Sequence, residues 1–152
     1  MSDKPGIHAM NVLTTDTIQL HGSATTREAA IAEAGALLVS VGAVTEEYVA
    51  AMFARESSVS TYMGNLLAIP HGTNDSKDSI RRSSVAVVRY DHEIDWGGNP
   101  VRFVIGIAGK GDSHMEVLAA IAMTFTDMDA VNELLVADSA EVVLHRLGLD
   151  AQ

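Results

Sequence analysis

Two β-branched runs constrain this chain more than any other feature. Residues 84–90 and 101–108 are apolar along most of their length, the pattern of strands covered on both faces. Such strands need helices on each side, and helical spacing recurs both before and after them. Upstream, Ala30, Ala34, Leu37 and Val41 fall on one helical stripe, opened by a Thr25/Glu28 capping box and stopped by Gly42. Thr45 ahead of Glu46 and Glu47 opens a second helix that carries Val49, Met52 and Phe53 and ends near 55–57.

Downstream, Asp112 is placed to cap a helix with Met115, Leu118, Ala119, Ala122 and Met123, the methionines read as core fillers along with Met52. Thr126 opens another with Val131, Leu134 and Leu135, and an Asp138/Glu141 capping box opens a last one ending at Gly148. A strand-like run at 17–20 and a short apolar run at 66–69, stopped by Pro70, complete the order. Strand, two helices, three strands, three helices excludes all-α and all-β folds. It predicts an α+β or α/β domain, a three-layer α/β/α arrangement with a short mixed β-sheet flanked by helices. Residues 1–16 show little periodicity and read as a loose lead-in, with 1–10 as tail. Residues 91–100 read as an exposed connection with Trp96 as a satellite packing residue. No repeat or linker divides 1–152, so one domain is expected.

Composition narrows the chemistry. The 152 residues include 20 acidic and 10 basic side chains for a net charge of -10, which argues against nucleic acid or an anionic membrane surface as a direct ligand. No apolar run approaches the roughly 20 residues of a bilayer span, and the N-terminus has no secretory pattern, so direct membrane insertion is excluded and a cytoplasmic location is expected. The absence of cysteine excludes disulfides, thiolate nucleophiles and Cys-ligated metals. Residues 111–152 hold eight acids against one arginine. This excess reads either as solvated helix faces or as a surface for a basic protein partner.

Chemistry must therefore come from histidine, arginine, hydroxyls and carboxylates. The six histidines include no pair at zinc-site spacing, and no nucleophile elbow, P-loop or dinucleotide fingerprint occurs. His92, among Asp91, Glu93 and Asp95, is a weak divalent-ion candidate. His71 stands out because it sits between Pro70 and Gly72 just past a strand end. Pro70 fixes the preceding backbone, and the missing Cβ of Gly72 lets a large group approach the imidazole. A nucleophile and a plain turn histidine both fit that setting. Arg55, at the end of the second helix, and His114, at the start of the third, flank the same region. Each is equally readable as an ordinary helix-end residue.

Together these residues resemble a known family. Met52-Phe53-Ala54-Arg55-Glu56, Ser60-Thr61-Tyr62-Met63-Gly64-Asn65, Ala68-Ile69-Pro70-His71-Gly72-Thr73, Phe103 to Ala108 and His114-Met115-Glu116-Val117-Leu118 closely resemble the enzyme IIA domain of the mannitol/fructose class of the bacterial phosphoenolpyruvate-dependent sugar phosphotransferase system. The resemblance spans about residues 10–148 and implies a phosphotransferase that needs no metal or other cofactor. It implies that His71 accepts a phosphoryl group from the carrier HPr, through Nε2, and passes it to a cysteine of an enzyme IIB, which links the chain to the membrane component IIC. Arg55 and His114 would line the site, with backbone amides near Gly72 adding hydrogen bonds. His71-Gly72-Thr73 resembles the mannitol type more than the nitrogen-regulatory type. Asn65-Leu66-Leu67 departs from the pattern, where a smaller or acidic residue and a second glycine are expected. A regulatory phosphoprotein of the same fold and a non-catalytic binding module are the alternative readings.

Overall fold

The structure, a computed structural model, describes residues 12–110 and 113–148. Its centre is a five-stranded mixed sheet of order β1-β4-β5-β3-β2, built from β1 (Ile18–Gln19), β2 (Tyr62–Gly64), β3 (Leu67–Ala68), β4 (Ser84–Asp95) and β5 (Pro100–Ala108). β4 and β5 pair antiparallel and form the middle, while β1 joins β4, and β3 joins β5, in parallel. α1 (Arg27–Ser40) and α2 (Glu46–Ser58) cover one face; α3 (Ser113–Phe125), α4 (Met128–Val136) and α5 (Ala140–Leu147) cover the other. The expected three-layer arrangement is the one observed.

Alternation along the strands divides the core in two. Val85, Val87, Phe103, Ile105 and Ile107 face α3–α5, whereas Ala86, Val88, Tyr90 and Val104 face α1 and α2. Gly106 lies on the second face, where a Cβ would press on Ala34 and approach Met52 and Leu38, so its absence lets the helices sit close to the sheet.

Several local expectations are corrected. The cap of α1 is Thr26, whose Oγ1 accepts from the Ala29 amide, not Thr25, and Glu28 pairs with Arg27 instead of closing a box. α4 is capped by Asp127 rather than Thr126, and α5 by Ser139 rather than Asp138. The expected Asp112 cap lies outside the described residues. Met115 and Met123 are not core fillers: they are 67% and 75% exposed, while Val117, Ile121 and Phe125 turn inward. This helix is apolar nearly all round, so its period could not choose the buried side.

β4 continues to Asp95, so the first half of the expected connection is strand, while residues 91–93, 95 and 97–100 are exposed as expected. Ile94 and Trp96 are buried, and only the Gly97-Gly98 tip, with positive φ at both glycines, is an open turn. Of the lead-in, residues 1–11 lie outside the described part. Val12 and Leu13 are buried, and the Val12 carbonyl accepts from the Val85 amide at 2.9 Å. β2 was absent from the expected order. It pairs with β3 through a turn in which Asn65 (φ 52°) and Leu66 (φ 72°) are left-handed, the conformation that makes glycine the natural expectation there.

Candidate active site

His71 lies where β3 runs out past Pro70. It forms an isolated parallel bridge with Ile107, and the Ile107 amide donates to the Pro70 carbonyl at 3.0 Å, so the loop continues the sheet for one more residue. The imidazole Nδ1 lies 2.8 Å from the Ile69 carbonyl. A carbonyl only accepts, which assigns the proton to Nδ1 and leaves Nε2 with a free lone pair. Burial pushes the His71 pKa below the usual 6.5; the Ile69 carbonyl and the Glu56 charge oppose that shift, and the Arg55 and Lys77 charges add to it. At neutral pH the ring is therefore uncharged, as a nucleophile must be.

Tyr48 holds the loop from below. Its hydroxyl donates to the Ile107 carbonyl at 2.7 Å and accepts from the Gly72 amide at 2.9 Å. Burial raises its pKa, so the phenol stays protonated as the first of these bonds requires. This corrects the reading of Gly72. A Cβ at Gly72 would overlap the Tyr48 ring and Ser76 Oγ, so the missing side chain makes room for Tyr48 rather than for an incoming group. The Gly72 amide is likewise engaged by the phenol.

Arg55 arrives from the last turn of α2, where a cation suits the exposed carbonyls. Its Nη1 donates to the Val59 carbonyl at 2.6 Å, leaving the other guanidinium donors available. The adjacent Glu56 is buried and accepts from the Thr61 amide at 3.0 Å, Thr61 Oγ1 at 2.5 Å and Trp96 Nε1 at 2.9 Å. The Arg-Glu pair thus divides its work: Glu56 anchors the helix end, and Arg55 faces the cleft.

His114 comes from the opposite layer, in the first turn of α3. Its ring centroid is 6.1 Å from that of His71, with the planes at 64°. Its Nδ1 is buried against Gly109 and has no hydrogen-bond partner among the described residues, which assigns the ring proton to Nε2, since an N–H buried without an acceptor is the costlier choice. Burial, Lys77 and His71 all lower the His114 pKa, in that order.

The structure brings all three expected residues together. Arg55, His71 and His114 line one cleft of about 300 Å³ with Tyr48, Ser58, Gly72, Thr73, Asn74 and Lys77. Tyr48 and Lys77 were not foreseen. Tyr48 falls four residues before Met52, on the stripe that marked the core of α2, and nothing in the sequence around Lys77 signals its role. Among the described residues no group of three or more histidines and carboxylates is arranged to hold a metal ion, and no helix is long and apolar enough to cross a membrane. His92 is exposed on β4, apart from the cleft.

An uncharged imidazole nitrogen beside a guanidinium and a second imidazole, in a small open cleft, is equipped to receive a compact, multiply charged electrophile. Comparison with known proteins agrees. Residues 11–148 match the family described as "Phosphoenolpyruvate-dependent sugar phosphotransferase system, EIIA 2". The chain is 46% identical over 140 residues to the mannitol-specific phosphotransferase enzyme IIA component of Halalkalibacterium halodurans, covering 92% of this chain and 97% of that one. It is 39% identical over 137 residues to the protein of the same name from Geobacillus stearothermophilus, covering 90% and 94%. In three dimensions it resembles the Escherichia coli mannitol enzyme IIA in complex with phosphorylated enzyme IIB, with a TM-score of 0.82, 33% identity and coverage of 89% and 96%. The nitrogen regulatory protein IIA of Neisseria meningitidis gives a TM-score of 0.76 and 25% identity, with coverage of 91% and 97%. The chain therefore belongs to the EIIA 2 family of the phosphoenolpyruvate-dependent sugar phosphotransferase system and is a phosphotransferase component of that system.

Proposed function

We propose that this chain is the phosphocarrier of a mannitol-type uptake system, working in the cytoplasm with His71 as its phosphoacceptor. The observation that carries the reading is the Nδ1 to Ile69 carbonyl bond, which leaves Nε2 as the nucleophile beside Arg55. In the forward step the N–P bond of phosphohistidine on HPr breaks while a bond forms between phosphorus and His71 Nε2. The freed HPr imidazole keeps the electron pair of the broken bond. In the second step that phosphoryl group passes to a cysteine thiolate of enzyme IIB, which couples the chain to the membrane component IIC, and His71 returns to its neutral form. No metal is required, because charge spreads over three equatorial oxygens that Arg55 and the Nε2–H of His114 can engage.

The mannitol relatives support the mannitol-type reading, and the solved complex with phosphorylated enzyme IIB supports enzyme IIB as a partner. A regulatory role of the nitrogen type is less well supported, since the match to the nitrogen regulatory protein is weaker in both identity and TM-score.

Incubation with phosphoenolpyruvate, enzyme I and HPr tests the proposal. A mass gain of one phosphoryl group that is acid-labile and base-stable, absent from His71→Ala, is the expected result. Labelling that survives in His71→Ala would exclude His71 as acceptor. Onward transfer to a IIB cysteine separates sugar uptake from a purely regulatory role.

A further inference from the structure

We propose that Lys77 is a further phosphoryl-binding residue of the cleft, anchored on the Gly109 carbonyl and donating its remaining N–H groups to the phosphoryl oxygens. This rests on the reading of the cleft as a phosphoryl site. The 3₁₀ turn Asn74–Ser79 follows directly on the His71 loop and is held by the Ser76 amide and hydroxyl, which donate to the Thr73 carbonyl at 3.1 and 2.6 Å. That turn brings Lys77 into the same cleft as Arg55, His71 and His114. Its Nζ donates to the Gly109 carbonyl at 3.0 Å. An ammonium has three donors, so this single acceptor leaves two uncommitted.

The electrostatic setting points the same way. In a chain of net charge -10, the described residues lining this cleft include two cations and no carboxylate. Lys77 is close enough to lower the proton affinity of both imidazoles. A cation held beside two neutral rings, with no carboxylate among the described lining residues, is a site suited to an anion. Arg55 offers a planar fork from α2; Lys77 adds a compact charge from the His71 loop, which can follow the phosphoryl group as it moves between partners.

The Gly109 bond also gives Lys77 a structural part, because Gly109 packs directly on His114. The test must separate charge from tether. Lys77→Gln keeps an N–H donor and removes the charge; Lys77→Arg keeps the charge. Single-turnover transfer from phospho-HPr is expected to slow about tenfold in Lys77→Gln and to recover to within about threefold of the parent in Lys77→Arg, the scale of one charge-assisted hydrogen bond. Inorganic phosphate, titrated while the His71 and His114 ring signals are followed by NMR, is expected to bind about tenfold more weakly to Lys77→Gln. The titration needs no phosphoryl donor, so it decides on Lys77 even if the parent protein takes no label from HPr, a result that would sink the phosphocarrier reading instead. Phosphate affinity unchanged in Lys77→Gln, or no phosphate binding to the parent, overturns the proposal. So does a Lys77→Arg variant as slow as Lys77→Gln with its His114 signals displaced, which would reduce Lys77 to a tether.

Discussion

The two helical layers grip the same sheet by different means. On the α1–α2 side, side-chain hydrogen bonds recur, those of Glu56 buried and those of Glu33 nearer the surface: Glu33 accepts from the Tyr90 hydroxyl at 2.8 Å and from Ser23 and Ala24, Glu56 accepts from Thr61 and Trp96, and Tyr48 bridges Ile107 and Gly72. On the α3–α5 side the contacts are apolar, with Phe103 and Phe125 edge to face at 5.4 Å among Val117, Ile121 and Leu134. Arg89 is that side's main polar staple, donating to the Leu20, Leu134 and Ala137 carbonyls. Hydrogen bonds are directional and apolar packing is not. The layer that supplies Arg55 and Tyr48 is therefore built to hold fixed positions, whereas the layer that supplies His114 is held mainly by apolar area, with few polar ties such as those of Arg89 and Asn65.

Substitutions that remove the main staple of each layer should break this contrast most sharply. Trp96→Ala leaves a large cavity and deprives the Glu56 carboxylate of a donor, so urea denaturation should show a loss of about 3–5 kcal/mol. Because Glu56 adjoins Arg55, transfer should slow as well. Arg89→Met strands carbonyls at the end of α4 and should cost about 1.5–3 kcal/mol, yet leave transfer rates near the parent value. Equal slowing in both variants would remove the distinction between a positioning layer and a packing layer.

Within the cleft the same contrast predicts unequal effects on the proposed transfer. Arg55→Ala removes a permanently charged, prepositioned donor and should slow transfer about a hundredfold, the scale of one lost electrostatic clamp. His114→Ala removes a neutral donor on the less rigid layer and should slow it about tenfold. Rapid-quench measurement of both, with circular dichroism to confirm folding, checks the order. A larger effect at His114 would mean that the apolar layer positions the chemistry.

Acid sharpens the comparison further, since one imidazole of the cleft sits on the sheet and the other on α3. Both have pKa values lowered from 6.5, chiefly by burial. Between each lowered value and 6.5 the unfolded chain binds protons that the folded chain does not, so stability must rise with pH across that window and be lost as pH falls through it. Above 6.5 neither group contributes a slope. His71→Gln and His114→Gln should each flatten the acid side of a stability profile relative to the parent, and transfer should persist to pH values below 6.5. A parent profile no steeper than the variants would contradict the neutral assignments.

Much of this was legible in the residues. The doubly buried runs announce a covered sheet, and the Arg55, His71 and His114 motifs announce the cleft. Tyr48 was hidden because its position on a core stripe explained it away, although its hydroxyl does the work. Gly72 was misjudged for a related reason: a missing Cβ signals close approach without saying by what. Lys77 is brought to the cleft by the 3₁₀ turn and fixed there by the Gly109 carbonyl, a contact across 32 residues that no local pattern encodes. The faces of α3 were reversed because a helix apolar on all sides has no readable inner stripe.

The smallest effects concern the helix caps, where the sequence reading fell one residue early in each layer. Thr25-Thr26, Thr126-Asp127 and Asp138-Ser139 are all pairs of capping residues, so composition offers two candidates and only the backbone chooses. The chosen residue is the last with extended φ and ψ, and its oxygen accepts an amide two or three positions on. Thr26 (φ -126°, ψ 161°) accepts from Ala29, and Ser139 (φ -147°, ψ 155°) accepts from Val142. Thr26→Ala and Ser139→Ala should each cost about 1 kcal/mol, while Thr25→Ala and Asp138→Ala should stay within about 0.5 kcal/mol of the parent. The two costs should also match, because a cap acts on its own helix end and not on the layer behind it. If Thr26→Ala costs clearly more than Ser139→Ala in the same denaturation series, the polar network around Glu33 in α1 extends to the helix start, and the contrast between the layers reaches further than the core.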